Sequence, residues 1–268
     1  MSHTKQSRRA VLGGMVGAAA GVCCGDHLIS ANDASGQTQN SLVVGREGLV
    51  TVANGLSIHP RSDWGADLAP KWAMAAEDVR FLLVHHTASS NNVPNPRSVI
   101  RGVYAFHTSA AKRWPDVVYN FFVAPDGSVW EGRAGSIDGP VIADATGGNQ
   151  GFAQLVCLIG NHVDVPPTAP AQDSLVKTLA WLAGRYSLNT YADGKTTFVS
   201  RGSNKFPTGT TITTPIISPH RDVTFTACPG DAAVAKLPEW RRRVFETLST
   251  TWESNGIQRA DRLKFQAP

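Results

Sequence analysis

Residues 79–87 read VRFLLVHHT, and the run Phe81-Leu82-Leu83-Val84 closes on the pair His85-His86 before a loop containing Asn91, Asn92 and Pro94. Four successive apolar side chains leave no polar face, and the run is too short for a helix, so it predicts a strand buried on both faces. Working outward, Val99, Val103 and Phe106 recur at i, i+4 and i+7, which predicts a helix over 97–111. VYNFFVA at 118–124, the turn Pro125-Asp126-Gly127 and the following SVWEGR predict a hairpin. QLVCLIG at 154–160 predicts a second buried strand, in which Cys157 serves as a small hydrophobe. Leu175, Leu179 and Leu182 mark a helix over 172–186, and a last helix over 238–248 precedes a polar tail at 251–268. Strands interleaved with helices, plus one hairpin, predict an α/β fold with a mixed β-sheet flanked by helices. Residues 189–215, rich in Thr, Gly and Ser with the short β-like pieces TTFVS (196–200) and TTITT (210–214), are too long for an ordinary connection. Two readings of that segment stand: an added wall beside the motif that follows it, or a decoration on the solvent side.

The 268 residues are 42% hydrophobic, enough for a sizeable core, which excludes disorder throughout. Charged residues make up 17%, and the formal charge of +4 contains no long basic run, which argues against a dedicated nucleic-acid binder. The stretch from Val11 to Cys24 is rich in Gly and Ala and falls short of the ~20 residues needed to span a bilayer. Preceded by Ser7, Arg8 and Arg9 and followed by small residues, it has the layout of a signal peptide over 1–31, cut near Ala31. Ser7-Arg8-Arg9 with Leu12 resembles a bacterial twin-arginine signal, which predicts export to the periplasm or cell envelope. A cytosolic helix and a lipoprotein signal at Cys23 are the alternatives. Removing residues 1–31, with Lys5, Arg8 and Arg9 against Asp26, lowers the net charge from +4 to +2 and leaves only Cys157 and Cys228. Such a chain has no disulfide framework to lean on. Residues 32–55 are polar and small and are expected to form a linker or loose arm.

The chemistry concentrates at two places. His85 and His86 end the first strand, and PHRDVTFTACPGD at 219–231 places His220 and Cys228 eight positions apart. Imidazole and thiolate are ligands that zinc prefers, and a catalytic zinc takes three protein ligands with a fourth position open. Two histidines and one cysteine meet that count. Residue types alone also allow packed strand-end histidines, or a thiol nucleophile at Cys228 with His220 as its base.

Five stretches then occur in order: HPRSDWGA (59–66), LLVHHTAS (82–89), FHTS (106–109), VVYNFFVAPDGSVWEGRAG (117–135) and PHRDVTFTACPGD (219–231). Together they resemble the type-2 amidase family, which contains peptidoglycan recognition proteins and zinc N-acetylmuramoyl-L-alanine amidases. The resemblance covers about residues 56–249. It implies a central mixed β-sheet flanked by helices in a single domain over 56–250, and a cleft holding one Zn2+, with His85, His220 and Cys228 as ligands and Tyr119 and Thr226 as catalytic hydroxyls that donate to the oxyanion. The implied reaction cuts the amide between N-acetylmuramic acid and L-alanine, and the implied partners are peptidoglycan or muropeptides, met by a monomer. The alternative within the family is a recognition module that binds without cutting. The proton donor to the leaving amine stays open among Tyr119, the zinc-bound water, His86 and His107. His107 is expected in the cleft wall, Glu131 and Arg133 in pairs with each other or with loops, and Asp222 beside His220. Trp64, Trp114 and Trp130 are expected in the core or stacked on sugars. Ala134-Gly135 stands where many members carry Gly-Trp, and 139–150 lacks the usual Gly-Ala-His, so stem-peptide preference is open.

Overall fold

The computed structural model describes residues 48–148, 151–191 and 194–254. The signal-peptide reading of 1–31 lies outside these residues, as does most of the tail.

The buried run at 81–86 forms β3 (Phe81–His86), all six residues of it buried. On one side it pairs in parallel with β6 (Ala153–Leu158), placing His85 opposite Cys157. On the other it pairs in parallel with β9 (Ile217–Pro219), with Val84 opposite Pro219. The expected hairpin forms as β4 (Phe121–Val123) and β5 (Val129–Glu131), and β4 runs parallel to β6. Beyond β5 come β2 (Leu56–His59) and β1 (Val50–Ala53), completing a mixed seven-stranded sheet in the order β1-β2-β5-β4-β6-β3-β9. The sheet and its flanking helices form a single domain, as the sequence predicted. Among the described residues no helix is long and apolar enough to cross a membrane.

The sheet is covered on both faces because each central strand is apolar in both parities. Leu82, Val84, Val156 and Leu158 pack against α3 (Ala169–Arg185) and α5 (Leu237–Ser254), whose Leu175, Leu179, Trp240 and Val244 fill that side. Phe81, Leu83, Leu155 and Cys157 face the opposite side, with Ile100 and Tyr104 of α2 (Pro96–His107). The helix starts follow from local chemistry: Asn95 Oδ1 caps the Arg97 N–H at 3.1 Å, and Thr168 Oγ1 caps that of Ala171 at 3.3 Å. Short helices α1 (Ser62–Gly65) and α4 (Asp231–Val234) complete the domain.

Three expectations are corrected. The arm read over 32–55 ends in the sheet, because Asn54-Gly55, with Gly55 at φ +67°, turns β1 back antiparallel onto β2. The helix expected over 97–111 stops at His107, where Thr108 returns both its N–H and its hydroxyl to Tyr104 O at 2.9 Å. Its buried stripe is Ile100, Tyr104 and His107, while Phe106 is 38% exposed. The tail expected from residue 251 begins later, since α5 runs to Ser254.

Residues 189–215, for which two readings stood, form strands where their Thr-rich pieces suggested them. They contain a separate two-stranded antiparallel sheet, β7 (Lys195–Val199) and β8 (Thr211–Pro215). This is no solvent-side decoration: Phe198 is buried and stacks on Phe81 at 5.2 Å between ring centroids, and Ile212 is buried beside it. The hairpin thus covers the start of β3.

Candidate metal centre

In β3 the side chains alternate between faces, so His85 shares the face of Phe81 and Leu83, while His86 shares that of Leu82 and Val84. The parallel register of β9 then fixes the partner. Pro219 lies opposite Val84, so the next residue, His220, arrives beside His85, with ring centroids 4.2 Å apart. The chain leaves β9 through a single turn at His220–Asp222 and loops back to bring in Cys228, whose Sγ is 3.6 Å from His85 Nδ1.

His85, His220 and Cys228 are all buried, and one ligand atom from each lies within 4.8 Å of the others. Among the described residues they are the one group of three or more His, Cys, Asp or Glu side chains that could hold a metal ion. The group fits zinc on three counts. Bond lengths of about 2.3 Å to sulfur and 2.0–2.1 Å to nitrogen at a tetrahedral angle separate the two ligand atoms by about 3.5 Å, close to the observed 3.6 Å. His220 Nδ1 is buried without a hydrogen-bond partner, and such an atom is costly unless something else binds it. Burial, reinforced by the rings of His220 and His86, holds His85 well below the ordinary histidine range, and burial together with His86 brings His220 down to about 3. Both imidazoles are therefore neutral, the form that ligates a metal.

Tyr119 precedes β4 and is buried, its ring 5.2 Å from that of His85 and 5.8 Å from that of His107. Thr226 is half-buried, and its Oγ1 accepts the Cys228 N–H at 3.2 Å. The five residues singled out from the sequence thus gather around one end of β3, with Thr226 tied to the site through the backbone of Cys228.

The neighbours fall mostly into supporting positions. His107 is buried, held by the Val118 N–H on its Nδ1 at 3.2 Å, and lies between Trp114 and Tyr119. Burial, with Arg133 and Lys112 adding to it, brings its pKa to about 3. Glu131 and Arg133 do not pair with each other: Glu131 accepts the N–H groups of Arg61 and Ile137, and Arg133 binds Val117 O, Ile142 O and Asp144. Trp64 and Trp130 belong to the core, and Trp114 is partly buried against His107. Asp222, raised by burial against the pull of Arg241, Lys205 and Arg221, presents its carbonyl to Lys205.

Two features went unseen in the sequence. The His86 backbone N–H points at Cys228 Sγ at 3.4 Å, a contact that carries no side-chain signature. His162 sets His86, donating its N–H to His86 Nδ1 at 3.1 Å; it stands four residues past β6 in a stretch without periodicity.

The profile of the N-acetylmuramoyl-L-alanine amidase family (Amidase_2) matches residues 75–231, which span β3 to the loop after Cys228. The chain belongs to this family. Peptidoglycan recognition protein 1 of Mus musculus is 31% identical over 189 residues, covering 68% of this chain and 87% of the mouse protein. The N-acetylmuramoyl-L-alanine amidase of Homo sapiens is 30% identical over 196 residues, covering 69% of this chain and 28% of that protein. Among solved structures, peptidoglycan recognition protein-LE in complex with tracheal cytotoxin, a monomeric diaminopimelic acid-type peptidoglycan, is similar in fold. Its TM-score is 0.51 at 24% identity, with 68% of this chain and 93% of that chain covered. Family membership accounts for the mixed sheet and for the order of the five motifs. The relatives carry two kinds of name, recognition protein and amidase, so membership leaves the choice between binding and cutting to the residues of the site.

Proposed function

We propose that this family member is an exported, monomeric, zinc-dependent amidase that hydrolyses the bond between the lactyl group of N-acetylmuramic acid and L-alanine in peptidoglycan or muropeptides. The observation that carries the reading is the buried group of His85, His220 and Cys228, with Tyr119 against the His85 ring. Three protein ligands suit a catalytic zinc, which keeps a position open, where a structural one takes four. When bound, zinc supplies Lewis-acid polarisation of the scissile carbonyl and activation of water at neutral pH.

The chain's own residues do the rest. The Tyr119 hydroxyl donates a hydrogen bond to the oxygen on which negative charge develops. The Thr226 hydroxyl accepts from Cys228 N–H and so keeps its own hydrogen for the same oxygen. A donor of this kind is worth roughly 3 kcal/mol of transition-state stabilisation. A thiol nucleophile at Cys228 is the weaker reading, because a cysteine–histidine pair leaves one buried histidine without a role.

Purified protein incubated with muropeptides, with and without chelator, tests the proposal by mass spectrometry of free stem peptides beginning with L-alanine. Release that chelator stops and zinc restores supports it. Binding without release makes the protein a recognition module, and release indifferent to chelator favours the cysteine mechanism.

A further inference from the structure

Two of the three residues in the metal centre, His220 and Cys228, are joined by a loop, and that loop is gripped from outside. Lys205 Nζ donates to Arg221 O at 2.8 Å and to Asp222 O at 3.1 Å. Ser203 Oγ donates to Val223 O at 3.0 Å. Asn204 Oδ1 accepts from Thr224 Oγ1 at 2.5 Å and from Phe225 N at 2.8 Å, while its Nδ2 donates to Phe225 O at 3.2 Å. Three consecutive residues thus hold five consecutive residues of the loop, largely through its backbone.

The grip is itself anchored. Ser203 Oγ accepts the N–H groups of Lys205 and Phe206 at 3.2 and 2.9 Å, which closes the turn on itself. The turn joins β7 to β8, whose Phe198 is buried on Phe81, so it is tied back to the strand that carries His85. Gly147 and Gly148 run alongside: a Cβ on Gly147 would meet Thr224 Cβ and Val223 O at 2.9 Å, and one on Gly148 would meet Gly202 O at 2.5 Å. Only a backbone without side chains fits there.

We propose that Ser203, Asn204 and Lys205 are positioning residues for the metal centre, holding the 221–225 loop so that His220 and Cys228 stand at ligand spacing before any metal arrives. The inference rests on the metal-site reading above and adds a part of the chain to it. A loop that the metal must order loses affinity to that ordering, and a loop already ordered does not. Supports of this kind typically set metal affinity by 10- to 100-fold. Lys205 is the centre of the grip, because one ammonium satisfies two successive carbonyls directly after His220.

The test measures zinc affinity and release on the purified full chain by competition with a chromophoric chelator, together with the absorption bands of the cobalt-substituted protein. Lys205→Met and Asn204→Ala should each weaken zinc binding by about 10- to 100-fold, speed release and shift the cobalt bands, with the melting temperature of the metal-free protein unchanged. Lys205→Arg, which keeps a cationic donor, should recover most of the affinity. Thr211→Ala, on the exposed side of β8, should change nothing. Should Lys205→Met fail to fold, Ser203→Ala, which removes a single hydroxyl, makes the same comparison. Variants that hold zinc as tightly as wild type, or that lose it only in step with metal-free stability, overturn the inference alone. Wild-type protein that binds no zinc overturns the metal-site reading and this inference with it.

Discussion

His86 gives its backbone N–H to Cys228 Sγ at 3.4 Å, while its imidazole Nδ1 receives the N–H of His162 at 3.1 Å. The end of β3 therefore supplies one candidate ligand, His85, and an amide dipole aimed at another. A thiolate gains from such a donor, since hydrogen bonds to charged acceptors are the stronger ones. Serine in place of Cys228 keeps the volume and loses the soft ligand. Cys228→Ser should strip the zinc and abolish turnover, as read by metal analysis and stem-peptide release.

Tyr119→Phe should separate binding from rate. The hydroxyl is removed while the ring keeps its packing against His85, His107 and Phe122. Zinc content should be unchanged and kcat should fall roughly 10²- to 10³-fold. Unchanged kcat would exclude the tyrosine hydroxyl from the reaction.

Glu77 should make stability fall as pH rises. Burial is the largest cause raising its pKa to about 8, against the opposing hydrogen bond from Gln154. Between the ordinary carboxylate value of about 4.3 and that raised value, the unfolded chain has released the proton that the folded chain retains. The folded state therefore loses stability progressively across that window and no further above it. Glu77→Gln should flatten the slope and raise the melting temperature at pH 8 more than at pH 5, measured by thermal scans at both.

Arg61→Leu should cost about 3–5 kcal/mol in denaturant unfolding. Its guanidinium pairs with Asp116 at 2.9 Å, with side-chain exposures of 5% and 0%, and also donates to Gly132 O and Leu68 O. Without it, Asp116 is a buried carboxylate with only backbone donors, from Val117 and Ala134. A loss below 1 kcal/mol would show that water or a rearranged loop takes over the role.

Replacing Arg8 and Arg9 together by lysine should leave precursor in the cytoplasm while the wild-type protein appears outside the inner membrane. Fractionation of cells expressing each form reads the result, and equal export of both would dismiss the twin-arginine reading.

What the sequence made legible followed from how much each segment commits to one environment. β3 and β6 are apolar on both faces, and only a central strand satisfies that. The β4–β5 hairpin declared itself through Pro125-Asp126-Gly127. β9 stayed hidden because three residues, the last of them Pro219, carry no period. The buried face of α2 was displaced by one position because Tyr104 and His107, amphipathic by type, are what that helix buries. Of the site, the residues that gather were readable as motifs, since each brings its own chemistry. The grip of 203–205 was not, because its partners are backbone atoms about 20 positions away, and carbonyl groups look alike in every sequence.

β9 has only three residues and forms the outer edge of the sheet, yet it delivers one of the two histidines, while β3 delivers the other from the interior. Edge strands are the first part of a sheet to open, and neighbouring strands sit about 4.8 Å apart, so a displacement of one strand width pulls His220 out of reach of His85. The centre is therefore a latch across one edge of the sheet: whatever closes it holds the chain from β9 onward against the core, and whatever loosens that edge dismantles the chemistry first.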